Sequence, residues 1–475
     1  MATIDGRVHE LPRNYWIAGL MGAYACVIAA SPNLFAAATL SLPLVAIALV
    51  LWTLQTSGRW LSCFFFAALL LPPLPFALGD SGPHVGVVLA GLGLVCGALR
   101  LREWRLQRNL LTFAMAVFFL VLLASSALAV FYSGLSVAAG SLARVLLFGI
   151  PLYVFFYSTY GPGAAMGADG IAGSRMLYWF GVLSAVFACL DFYYQFPAPA
   201  GYGPQFIWLD SGIYRRAQGF FYEASTLGNV CAFFLIMIAV TLLRPRREWP
   251  VSRLALWLGA PFLFAALVMS YSRASLLNLF VALAALLYME RARLRMGRLL
   301  AIAASCLAVG SLAAWQLFPE AAGNYWLHLV HSQFLFTQTD SVLSGRLASW
   351  QAIAAFLATH PWHAILGVGY KTLPYSDFIG HTVVADNMYL SLLAETGIVG
   401  LAAFFLLNFA ILRTAWRAAR RDDSRASFFG AWIFCFWIGQ LFQMLSGDLF
   451  TYWRVLPVYF WVLATAARRL RQITE

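Results

Sequence analysis

Apolar stretches of about 17 to 25 residues return from one end of this chain to the other, the length a helix needs to cross ~30 Å of hydrocarbon. In lipid a helix satisfies its own backbone hydrogen bonds, so such runs admit few other structures. A barrel would show weak ten-residue segments of alternating polarity instead. Of the 475 residues, 62% are hydrophobic and only 11% charged, less than half the roughly 25% charge of a soluble domain. The expectation is an all-α, polytopic transmembrane helical bundle, with residues 1–475 forming a single integral membrane domain.

Spans are predicted near 15–31, 34–54, 60–78, 84–101, 110–132, 141–158, 176–196, 226–244, 254–271, 274–290, 299–318, 387–412, 427–446 and 453–467, about twelve to fourteen in all. Pro43, Pro72 and Pro73 mark stretches that suit a broken or re-entrant helix. Arg7 and Arg13 precede the first apolar run, but no small-residue cleavage site follows it, so it reads as a retained helix. The seven cysteines fall inside apolar spans without nearby His or Cys at ligand spacing, and read as packing residues.

Arginine sets the orientation. Loops holding Arg59, Arg100 to Arg108, Arg175, Arg244 to Arg253, Arg291 to Arg298 and Arg413 to Arg425 alternate with nearly uncharged ones. Basic short loops face the cytoplasm, so both termini are expected inside. The net charge of +12 is then a topological signature rather than a sign of nucleic-acid binding. Arg144, Arg215, Arg216, Arg273, Arg346, Arg454 and the only lysine, Lys371, stand on the other side, where topology asks for no positive charge. Arg273 sits in a very short turn, SYSRAS, between two apolar runs. An arginine there either snorkels to lipid phosphate or needs a partner.

Two outward segments are long enough to build a site, 197–225 and 319–386. The first contains GIYRRAQGFFYEASTLG, with Glu223 near the start of the next helix, where capping is its ordinary role. The second holds five of the seven histidines, with Asp340, Arg346, Lys371, Asp377 and Asp386. His360-Pro-Trp-His363 lacks a third nearby ligand and is a weak metal signal. Residues 346–363 suit an amphipathic helix lying on the membrane. Asp386 and Asn387 read as a helix cap, and Glu395, two turns further in beside Gly397 and Gly400, marks a kink or an ion relay. Trp208, Tyr214, Tyr325 and Trp326 suit sugar stacking or an interfacial belt. Arginine's planar fork binds phosphate bidentately, and a carboxylate or histidine nearby would deprotonate an attacking hydroxyl.

The turn Ser270-Tyr-Ser-Arg273-Ala-Ser, the segment Arg215-Arg216-x-x-Gly-Phe-Phe-x-Glu223 and the run Asp386-Asn387-x-Tyr389-Leu390, continuing to Glu395, Gly397 and Gly400, resemble the bacterial O-antigen ligase and polymerase family of membrane glycosyltransferases. The likeness extends over roughly residues 140–450. It implies an inner-membrane enzyme acting at its periplasmic face on an undecaprenyl-diphosphate-linked glycan donor, inverting, and needing no metal or other cofactor. The acceptor would be another glycan or lipid A-core, and a chain-length regulator protein is a possible partner. The resemblance assigns Arg215 or Arg216, and Arg273, to the diphosphate; Arg346 is a further candidate for the same role, with Asn387, Tyr389 and Arg144 as acceptor or supporting candidates. The family's loop histidine falls at Asp386, so the base is Asp386, His381 or Glu223. That departure favours a polymerase of O-antigen or exopolysaccharide over a ligase. A transporter of lipid-linked glycan is the alternative of another class, against which stand few mid-membrane charges and no inverted pair of broken segments.

Overall fold

A computed structural model describes residues 22–24, 26–30, 33–56, 58–74, 83–161, 170–198, 202–209, 212–245, 249–291, 316, 323, 326–327, 329–330, 346–376, 380 and 382–474. The spans expected at 15–31 and 299–318 fall wholly or mostly outside these residues. The chain divides into two units, Met1–Arg59 and Trp60–Glu475. In the first, α1 (Leu34–Gln55) continues through Pro43, and the Arg59 guanidinium lies 4.8 Å from the Trp52 ring while donating to the Trp52 carbonyl at 3.0 Å.

The second unit is the expected bundle of apolar helices. In order it runs α2 (Arg59–Leu70), α3 (Val85–Leu99), α4 (Leu110–Tyr160), α5 (Ile171–Tyr194), a β1–β2 hairpin (Phe206–Leu209, Gly212–Arg215), then α6 (Ala224–Leu242), α7 (Arg253–Met269) and α8 (Arg273–Glu290). After these come α9 (Arg346–Thr359), α10 (Pro361–Leu366), α11 (Met388–Ala419), α12 (Ser424–Gln443) and α13 (Leu456–Thr474). Among the described residues six helices are long and apolar enough to cross a membrane, and three shorter ones are apolar. Pro72 and Pro73 lie just past the end of α2 instead of breaking it. Exposed side chains such as Phe113, Leu120, Phe131, Leu183, Phe262, Phe280 and Phe409 are what a bundle solvated by lipid presents.

As one rod, the 51 residues of α4 would measure about 75 Å, over twice the hydrocarbon thickness. The chain avoids this at Gly134, whose φ of 82° and ψ of 168° interrupt the helix; a residue without Cβ takes that conformation at little cost. The two halves then fold back on each other. Phe118 meets Phe148 edge-on at 5.6 Å, and at the far end Asn109 donates to the Tyr160 hydroxyl at 2.6 Å while Arg105 N–H reaches the Tyr160 carbonyl at 2.9 Å. The two spans expected at 110–132 and 141–158 are therefore one helical hairpin.

A buried amide network ties α6, α8, α12 and α13 together. Asn229 and Asn278 both donate to Gln440 and Gln443, at 2.6 to 3.2 Å. Gln443 in turn donates to Ser275 Oγ at 3.1 Å, and the Tyr459 hydroxyl donates to Asn229 at 2.5 Å. Without a hydrophobic drive between helices in lipid, hydrogen bonds of this kind and close packing of small residues fix their arrangement. This network lies directly beneath the turn that carries Arg273.

The outward segment after α8 is not simply a helix on a membrane surface, as 346–363 suggested. Ile353 and Phe356 of α9 pack with Val368, Leu373, Val383, Ala385 and Ala394 into a separate small core. The apolar face of α9 is thus used by the loop itself and by the start of α11. A second glycine-made break holds this assembly in place. Gly397 (φ 68°) interrupts α11, and a Cβ there would collide with the Ile365 carbonyl; a Cβ at Gly367 (φ 79°) would collide with Glu395 and Thr396. The kink read from Gly397 and Gly400 is present, and it is where the loop docks.

Candidate functional site

The turn SYSRAS is shaped first by its own serines. Ser270 ends α7 and its hydroxyl donates to the Leu267 carbonyl at 2.6 Å. Ser272 is the N-cap of α8, accepting from Ser275 N–H, and the two hydroxyls lie 2.8 Å apart. Tyr271 between them takes a left-handed backbone, φ 49°. This pins Arg273 at the first position of a helix, half-buried, where the N-terminal end of the helix dipole and the guanidinium both favour an anion.

The β1–β2 hairpin sorts the paired arginines. It is antiparallel with Phe206 opposite Arg215, and successive residues of a strand point to opposite faces. Arg215 turns to α5, where its Nη2 lies 3.4 Å from Asp191 Oδ1. Arg216 turns the other way and donates from Nε to the Ser270 carbonyl at 2.8 Å, while Ala217 N–H bonds the Met269 carbonyl. Arg216 therefore joins the Arg273 turn and Arg215 does not. Burial lowers the Arg216 pKa, opposed by Tyr452 and Glu223 and reinforced by Arg346 and Arg273. Arg216, Arg273 and Arg346 all lie close enough to act on one another's charge.

Glu223 is the N-cap of α6 by position but makes no side-chain cap bond. Gln205 takes that role, accepting from Ala224 N–H at 2.9 Å. The Glu223 carboxylate instead accepts from the Thr226 hydroxyl at 2.7 Å. Burial raises its pKa above the ordinary carboxylate value, an effect that Thr226 and Arg216 partly reverse and that Asp448 and Asp386 add to. It also lines a cavity of about 310 Å³ whose walls include Tyr202, Tyr222, Tyr452, Trp453, His84 and Arg454. Arg454 there donates to the carbonyls of Phe220, Ala68 and Leu71 at 2.7 to 3.0 Å.

From the loop side, Arg346 opens α9 and its Nε lies 3.1 Å from Asp386 Oδ2. Asp386 is exposed, with a φ of 44°. It is not the cap of α11: Asn387 is, accepting from the N–H groups of Tyr389 and Leu390 at 3.1 Å each. Tyr389 donates to the Leu441 carbonyl at 2.9 Å and stacks on Phe405, so both supporting candidates hold the helix start in place. Of the two other expected bases, Glu223 stands in the cluster and His381 lies outside the described residues, as do His328, His331, Asp340, Asp377 and Tyr325; the side chain of Trp208 does too.

A second group was only half visible in the sequence. Lys371 (φ 56°) is bonded to Asp448, and both are largely buried. Burial opposes the lysine's charge, but the carboxylates of Asp448 and Glu395 outweigh it and hold the ammonium above its ordinary pKa. Glu395 itself is buried, its carbonyl accepting from Ser125 Oγ and Gly369 N–H at 2.9 Å. Arg144 stacks over Tyr375 at 4.3 Å and acts on the Lys371 charge, so it belongs here and not with the diphosphate candidates. Asp448 escaped notice because it lies in a short turn, SGDLFTYW, between the last two apolar runs; an isolated carboxylate beside so few other charges was the available signal.

The arrangement offers three guanidinium groups around two carboxylates, one of them lining an aromatic-walled cavity. Residues 258–405 match the family model described as O-antigen ligase, which supports the resemblance drawn from the SYSRAS turn and the DNMYL run. The matched stretch contains Arg273, Arg346, Lys371, Asp386 and Glu395, while Arg216 and Glu223 precede it. No curated protein matches the chain.

Proposed function

We propose, with the O-antigen ligase family match over residues 258–405 as the premise, that this multi-pass membrane protein is a glycosyltransferase that polymerises undecaprenyl-diphosphate-linked oligosaccharide repeats into O-antigen or exopolysaccharide. The observation that carries the reading is the gathering of Arg216, Arg273 and Arg346 around Glu223 and Asp386. Arg216 and Arg273 grip the donor diphosphate, and Arg346, already turned to Asp386, completes the set on the loop side. As the glycosidic bond to phosphate breaks, negative charge builds on the leaving diphosphate, and prepositioned guanidinium groups stabilise it. The acceptor sugar enters through the aromatic cavity, where Glu223 takes the proton of the attacking hydroxyl. Attack on the face opposite the diphosphate inverts the anomeric centre. Asp386, held by Arg346, orients that arginine and serves as the second candidate base.

The active site faces the periplasm in this reading, because the arginine-rich short loops occupy the other end of the bundle and mark the cytoplasmic side. The inner membrane follows from the lipid-linked donor. A ligase delivering glycan to lipid A-core is the second reading, favoured by the description of the matched family; Asp386 in place of the family's histidine favours the polymerase. Incubating the detergent-purified protein with a lipid-linked repeat, with and without lipid A-core, and sizing the products separates them. A ladder without core supports the polymerase, product only with core supports the ligase, and lipid-linked repeat returned unchanged in both sinks the transferase.

A further inference from the structure

At the opposite end of the bundle from these residues lies a second cavity, of about 420 Å³, between the two ends of α4, the last turns of α11, and α13. Arg413, Arg417 and Arg421 line it at four-residue intervals. Arg413 and Arg417 are neighbours on the surface of α11, Arg421 follows just past its end, and like charges set so close repel unless an anion lies between them. None of the three side chains has a hydrogen bond or ion pair among the described residues. Thr159 lines the same cavity, is 4% exposed, and its Oγ1 has no hydrogen-bond partner. A buried hydroxyl left unpaired is costly, which points to a missing acceptor. Leu110, Leu111, Phe155, Ala467 and Leu470 form an apolar wall, beside which Gln107, Asn109, Tyr160 and Thr414 also line the cavity.

We infer that this cavity binds the phosphate headgroup of an anionic phospholipid, with the three guanidiniums and the Thr159 hydroxyl on the phosphate and the apolar wall along the acyl chain. A basic pocket between spanning helices is suited to such headgroups. A free phosphate would meet the same polar groups but leave the apolar wall uncovered, and this selects the lipid.

The test uses the full chain in an uncharged detergent, with dioctanoyl-phosphatidylglycerol, dioctanoyl-phosphatidylcholine or inorganic phosphate as probes, read by Tm and by native mass spectrometry. The phosphatidylglycerol alone is expected to bind and raise Tm. Replacing Arg413→Gln, Arg417→Gln and Arg421→Gln together weakens it about tenfold or more, whereas removing as many charges at the same end with Arg102→Gln, Arg105→Gln and Arg108→Gln changes it by less than about twofold. Thr159→Val keeps the side-chain shape and removes only the orphan hydroxyl; it raises lipid-free Tm yet weakens lipid binding, and it carries the test if the triple variant fails to fold. Equal loss in both triple variants, or none in either, overturns the site, as does unchanged binding in Thr159→Val. Inorganic phosphate binding as tightly as the lipid overturns the lipid assignment.

Discussion

Both ends of the bundle carry a cavity with arginines beside it, but those gathered near Arg273 are fixed, whereas the three that line the cavity at the other end, Arg413, Arg417 and Arg421, are not. Arg216 is tied to the Ser270 carbonyl, Arg346 to Asp386, Arg215 to Asp191 and Arg454 to three carbonyls. Arg413, Arg417 and Arg421 have no such bonds among the described residues. Groups that stabilise a transition state act best when their positions are set before the reaction. Attraction of an anionic surface needs only the charge. The same residue type therefore does two kinds of work, and bonding pattern tells them apart better than charge count.

This contrast is open to attack. Arg216→Ala and Arg273→Ala should each lower the transfer rate by about 10² to 10³ with protein level held, measured as lengthening of lipid-linked glycan; Arg413→Gln should leave it nearly unchanged, and equal losses would dissolve the distinction. Glu223→Gln should cost about 10² or more in rate while polyprenyl diphosphate still binds, and Asp386→Asn should cost less; the reverse ranking would move the base to Asp386. Lys371→Met leaves Asp448 without its partner in a largely buried place, and should lower stability by about 3 kcal/mol in a denaturant titration; a neutral result would show that the pair is solvated.

The smallest effect concerns pH. Burial raises the Glu223 pKa above the ordinary 4.5, so the folded protein holds that proton more tightly than the unfolded chain. Its contribution to stability is full below the unfolded value and declines as pH rises to the folded one. Activity should move oppositely, rising as Glu223 loses its proton through the same window. Glu223→Gln should flatten both trends, and a stability slope that survives it belongs to another group.

The bundle was legible because lipid leaves helices few substitutes, and runs such as those of α6 and α12 announce themselves. Arg273 and Asp386 were legible as charges where topology requires none. Arg215 and Arg216 were not separable, since only their places at the end of β2 and just past it send one to Asp191 and the other to the Ser270 carbonyl. Glu223 looked like a cap until Gln205, eighteen positions earlier, was found doing that work. The docked loop was hidden as well, because the contact of Gly367 with Gly397's neighbours depends on backbone approach over long range. Among non-glycine residues with left-handed backbone, Tyr222, Tyr271, Lys371 and Asp386 all stand in or beside the two charged groups; such conformations collect at functional sites, and composition does not reveal them.

The fold-back at Gly134 bears on how the protein enters its membrane. Its tip offers Phe131 and Leu135, 83% and 75% exposed, and no charged residue, so the insertion machinery has no polar loop to carry across. The two arms can partition into lipid together as one wedge, closing at the Asn109–Tyr160 clasp left behind on the side of entry.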